Sequence, residues 1–264
     1  MRDGARLNAK AIDWANRLVD RLGPDEVARV SQRILDVIDE VSSNRWEAAT
    51  QRAAALPDGI RPEKIKALTD SFARELGAAG AAAGAAAVAP AVGTAATMLA
   101  TTAELAWFTA RAGDLILTIA AAHGRPDPTV DERRAWVLAV LIYGSSAKDG
   151  FARALNEASV GVAPVVNRRI SMVTLQTANR LMSRSLLRRY GSQRALIAVG
   201  RALPIGIGAL IGGSANYVAI RTLARNADEF FARLPYSAID VDSTDLTGRQ
   251  LGPQTRPTGS AESK

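Results

Sequence analysis

The chain has 264 residues, 48% of them hydrophobic but only 5% aromatic, with no cysteine and a single histidine, His123. That length suffices for one large helical domain or two small ones, and a core this poor in aromatics must be built from alanine, leucine, valine and glycine, which favours close-packed helices over a sheet. Without cysteine there is no disulfide framework and no thiol nucleophile, and no carboxylate stands at ligand spacing from His123 for a zinc site.

Residues 5–22 read as an amphipathic helix, with Leu7, Ala11, Trp14, Leu18 and Leu22 at helical spacing. The opening residues MRDGARLNAKAIDW carry mixed charge and no long apolar run, so they are not read as a signal peptide. Gly23-Pro24 breaks this helix, and a second is predicted over about 25–41, striped by Val27, Val30, Ile34, Val37, Ile38 and Val41. Residues 42–58 show no firm period, and Pro57-Asp58-Gly59 signals a turn. Pro62 suits the start of a third helix, lined by Ile65, Leu68, Phe72 and Leu76.

From Leu76 the composition changes. The 28 residues to Ala103 carry no charge, and residues 77–89 are nine alanines, three glycines and a valine. Pro90 and Gly93 interrupt the run, and a further helix is expected over roughly 94–122, ended by Gly124. Thr129 and Glu132 form a capping-box signature ahead of Trp136, Val137, Val140 and Leu141, with Gly144-Ser145 closing that helix. A short helix near 146–157 follows, then a joint at Gly161 and Pro164, and a long basic helix over 165–190, interrupted at most locally. Ala202–Ile220 is a second uncharged segment of 19 residues, continuing into an amphipathic helix with Leu223, Ala227, Phe230, Phe231 and Leu234. Residues from Ser237 onward are polar and are expected to be a disordered tail.

The two uncharged segments have two readings. They are long enough for membrane-spanning or re-entrant helices, and Gly80/Gly84 and Gly208/Gly212 stand four apart, as in close helix contacts. Alternatively both are core helices of a soluble bundle. Charge adds a second clue. The net charge is +7, yet no acidic residue lies between Glu157 and Asp228, a stretch that carries ten arginines. The spacings of Arg169, Arg180, Arg184 and Arg188 place them along one side of the basic helix, as a contact for anionic lipid or another polyanion.

Within the first apolar region, Glu104, Arg111 and Asp114 stand on one helix with apolar flanks. Arg111 and Asp114 are three apart and can pair, and Glu104 and Arg111 share a face. A structural ion network is the leading reading, ahead of solvent exposure or a proton-handling site. Asn216, inside the second apolar segment, is expected to bond a helix carbonyl or the Glu104/Arg111 pair, and His123 to interact with the last carbonyls of its helix. No G-x-S-x-G, Walker A or dinucleotide fingerprint occurs. The sequence therefore assigns no catalytic, cofactor-binding or metal-ligating residue and does not read as an enzyme.

Three blocks taken together resemble the EcsC family. They are GAAGAAAGAAAVAPAVGTAATMLATTAELAWFTARAGDLILTIAAAHG, DPTVDERRAWVLAVL and ALPIGIGALIGGSANYVAIRTLARNADEFF. The matching features are the small-residue run, the helix with Glu104, Arg111 and Asp114, the ending His123-Gly124, and the late set Pro204, Gly208, Gly212, Asn216 and Tyr217. The resemblance covers about residues 60–235, and Val88 to Gly93 depart from the family's usual adjacent proline and glycine. It implies a bacterial helical protein of no defined activity, often suspected of working at the membrane.

The expectation is therefore an all-α, multi-helix bundle in which the two Gly/Ala-rich segments pack centrally or insert in a membrane. Residues 1–58 would form N-terminal amphipathic helices, 59–236 an EcsC-like core and 237–264 a tail. The leading functional reading is a scaffold or accessory protein at the cytoplasmic face of the cell membrane, bound to anionic lipid or a membrane protein complex. The alternative is a soluble cytoplasmic binding protein for nucleic acid or an acidic protein; no tryptophan is interleaved with the arginines to stack bases. A small-ligand carrier with its pocket between helices is a third.

Overall fold

The computed structural model describes residues 24–86, 94–125, 127–159, 170–190 and 213–234. Among these residues there are eight α-helices, one 3-10 turn and no strand. The helices are α1 (Pro24–Asn44), α2 (Trp46–Ala54), α3 (Arg61–Ala86), α4 (Thr94–Ala122), α5 (Val130–Tyr143), α6 (Ala147–Ala158), α7 (Met172–Tyr190) and α8 (Gly213–Arg233), with the 3-10 turn at Gly144–Ser146. The expected helix over 5–22, the break around Pro90, the joint at Gly161 and Pro164, and the polar tail lie outside the described residues.

Local chemistry sets several boundaries. Pro24 takes the first helical position of α1, where a missing N–H costs nothing. Thr129 caps α5: its hydroxyl accepts from the Glu132 amide at 3.3 Å, while the Glu132 carboxylate accepts from the Thr129 amide at 2.6 Å. At the end of α4, Gly124 adopts φ +70°, a left-handed conformation that costs glycine little. The Gly124 amide then donates to Ala121 and the Arg125 amide to Ala120, closing the helix.

Helix α4 lies at the centre and packs against α1, α2, α3, α5 and α8. Every residue from Ala112 to Ala120 is buried, so this stretch of the helix is enclosed on all sides. Helix α5 is buried from Ala135 to Ile142 and bridges α4 to α1, α6, α7 and α8. The longest contact runs between α3 and α8. The few aromatics are concentrated in one chain of edge-on contacts, from Trp46 to Trp136 (6.3 Å), Trp136 to Phe231 (5.4 Å), Phe231 to Phe230 (5.0 Å) and Phe230 to Phe151 (5.9 Å). Helices α1 and α2 contribute Ile34, Ile38, Val41 and Trp46 to this same core.

One expectation is corrected. Among the described residues the uncharged segments do not supply two membrane-length helices. Residues 76–103 are divided between α3 and α4, and the described part of 202–220 is the first turns of α8, whose later turns carry Arg221 and Arg225. Among the described residues one window, Leu105–Ala122, is long and apolar enough to cross a bilayer, and 61% of it is buried within the bundle. The basic helix expected over 165–190 is described only from Ile170 onward, residues 165–169 lying outside the described residues. Ile170 and Ser171 are non-helical, and α7 opens at Met172, where the Ser171 hydroxyl accepts from the Thr174 amide at 3.1 Å as an N-cap.

Candidate anion-binding surface

Helix α7 turns one face inward. Leu175, Ala178, Asn179, Met182, Ser183 and Leu186 are buried against α5 and α6, and the amide of Asn179 donates to the Asp131 carbonyl at 2.9 Å. That packing fixes which side faces solvent. Gln176, Arg180 and Arg184 follow one another at single-turn intervals and are all exposed. Arg180 donates to the Thr177 hydroxyl at 3.0 Å, which ties its guanidinium to its own helix. Gln176 bonds Asp131 at 3.1 Å, so α5 begins beside the opening turns of α7. Val130 (44% exposed) and Val173 (62% exposed) stand at those two helix starts. Arg188 lies on the same helix with its side chain outside the described residues, and Arg169 is outside them altogether.

The polar residues of the apolar region form a different kind of site. Arg111 lies between α4 and α3: it donates to Asp114 at 2.7 Å and to Glu75, and its guanidinium covers the Phe72 ring at 4.8 Å. Arg45 approaches the same Asp114 oxygen, Oδ2, at 3.9 Å. Asp114 is almost fully enclosed, with 4% of its side chain exposed against 17% for Arg111. Glu104 lies two turns before Arg111 on α4 and Asn216 in the first turn of α8, both with side chains outside the described residues. A guanidinium shared by two carboxylates and stacked on a ring fixes the register of two helices.

His123 does more than end its helix. Its Nε2 meets Asp228 of α8 at 2.7 Å, and since a carboxylate only accepts, Nε2 carries the proton. Burial pushes the imidazole below its ordinary value; Asp228 pulls the other way, and Arg61 and Arg125 add to the depression. Arg125, also buried, donates to the carbonyls of Phe231 at 2.7 Å and Leu234 at 2.6 Å. It thereby satisfies the C-terminal carbonyls of α8. The partners Glu75, Arg45 and Asp228, and the capping role of Arg125, have no local sequence signal, since each depends on residues far away in the chain. Among the described residues, no group of three or more His, Asp or Glu side chains is placed to hold a metal ion.

Fold and surface together define a helical bundle with an internal ion network and arginines displayed on an outer helix. No family model, curated protein or solved structure matches the chain.

Proposed function

We propose that this chain is a soluble, non-enzymatic binding protein that holds an acidic protein partner on the outer face of α7. The observation that carries this reading is the exposed pair Arg180 and Arg184, one turn apart in a stretch with no acidic residue from 158 to 227. Exposed Val130 and Val173 at the adjoining helix starts favour a protein over a phosphate backbone. Arginine beside apolar surface is the composition of protein interfaces, whereas affinity for a nucleic-acid backbone comes chiefly from cations that neutralise phosphates. The likeness to the EcsC family, resting on the residue blocks, is retained as part of this proposal and is compatible with an accessory role.

The test measures binding of the full-length protein to a fluorescent glutamate-rich peptide and to duplex DNA by anisotropy, at several salt concentrations. Peptide affinity should fall as salt rises and should fall again in the double variant Arg180→Gln/Arg184→Gln, with the melting temperature unchanged. Peptide binding indifferent to those arginines would end this reading. DNA binding lost in the same variant, with no peptide binding, would put nucleic acid in its place.

A further inference from the structure

Where α3 and α8 run together they leave an open groove of about 580 Å³, lined by Glu63, Lys66, Asp70, Arg74, Tyr217 and Arg221. Lys66, Asp70 and Arg74 follow at one-turn intervals and so share one face of α3. Asp70 accepts from Lys66 at 2.9 Å and from Arg221, which reaches across from α8. Hydrogen bonds from Lys66 and Arg221 hold the Asp70 carboxyl below the usual carboxylate range, so it stays charged and keeps both cations in place. Arg221 is also stacked on the Tyr217 ring at 4.7 Å. Arg74 spends its Nε on the Asp70 carbonyl at 3.2 Å, and among the described residues its guanidinium has no carboxylate partner.

We propose that this groove between α3 and α8 binds a phosphate ester through Lys66, Arg74 and Arg221, with the Tyr217 ring against the organic part of the ligand. Three cations face two carboxylates, so the groove carries one surplus positive charge. Arginine and lysine offer five and three donors, far more than the internal acceptors use. A planar carboxylate is satisfied by a single guanidinium fork, whereas a phosphate, with several acceptor oxygens, suits cations arriving from two helices. Arg221 is already held by a ring and a carboxylate, so little side-chain freedom remains to be lost on binding. The ester has two sources, a soluble metabolite or the headgroup of a phospholipid. The groove lies on α3 and α8, so this proposal stands apart from the α7 surface.

The full-length protein is titrated with glycerol 3-phosphate by calorimetry and tested for flotation with phosphatidylglycerol vesicles. Arg74→Gln is the informative variant, because Arg74 has no ion pair to lose and the fold should be untouched. Saturable binding of glycerol 3-phosphate identifies a soluble ester; flotation without it identifies a headgroup. Whichever binds should weaken about tenfold in Arg74→Gln, the scale of one charge-assisted hydrogen bond. It should be unaffected by Arg180→Gln/Arg184→Gln. Failure of both probes to bind overturns the proposal, and so does binding by Arg74→Gln equal to wild type.

Discussion

Arg111 joins two carboxylates on two helices, and its removal leaves Asp114, with 4% of its side chain exposed, short of its nearest partner. Breaking a buried pair from one side is far costlier than never having made it. Arg45 at 3.9 Å softens the loss, so Arg111→Ala should lower stability by about 3 kcal/mol, the lower end for such a pair, as measured by urea unfolding. Arg111→Lys keeps the charge and should recover part of it. The histidine gives a pH signature. Its folded-state value is depressed, so below about 6.5 the unfolded chain takes up a proton that the fold resists. Stability from this residue is therefore complete above that pH and declines as pH falls through the folded-state value. Asp39 and Glu132, both pushed up by burial, oppose it in the acid range, because the fold binds their protons more readily than the unfolded chain does. The difference between wild type and His123→Gln isolates the histidine: wild type should lose more stability than the variant between about pH 7.5 and 5. Equal slopes would mean that burial does not govern this imidazole. At this scale the i,i+3 pairing of Arg111 and Asp114 is legible in the sequence, because both lie on one helix. Glu75, 36 residues earlier, and Asp228, 105 residues later than His123, are not.

Elements were readable where a local hydrogen bond decides their ends. Thr129 with Glu132, and Gly124 after Ala122, act within a few residues and fix α5 and α4 as their sequence implies. Helix α7 shows the same rule at its start, where the Ser171 hydroxyl caps the helix that opens at Met172. Helix α2 gave too little periodicity to be identified, because its nine residues bury only Trp46 and Ala49. Helix contacts also assign glycines a purpose that composition does not disclose. A Cβ built on Gly150 of α6 would lie 2.2 Å from Cγ of Tyr143, so the ring packs directly on the glycine backbone. Gly150→Ala should gain about 1 kcal/mol of helix propensity and lose more through displacement of the ring, for a net loss of about 1–2 kcal/mol in chemical denaturation. A stabilised variant would show that Tyr143 moves aside freely.

For the whole molecule the decisive fact is the position of α4. A helix packed among α1, α2, α3, α5 and α8 can be apolar over most of its surface, and its Leu105–Ala122 window has the composition of a membrane span. The α7 proposal can thus be tested globally as well: the full-length protein should be monodisperse without detergent, and carbonate should release it from any membrane fraction. Retention in the bilayer after carbonate would favour insertion of the Leu105–Ala122 segment. Readable from the residues alone are the helical character of the described segments, the ends of α4 and α5, the absence of disulfide and thiol chemistry, and the concentration of positive charge between 158 and 227. These follow from composition, from periodicity and from hydrogen bonds between near neighbours. Helix packing settles which surface encloses α4, that Arg221 reaches Asp70 across two helices, that Arg180 and Arg184 face solvent, and that His123 and Arg125 clasp the end of α8. Hydropathy records what a residue avoids and charge what it attracts, but neither records which distant segment supplies the partner. That choice is made when the helices pack.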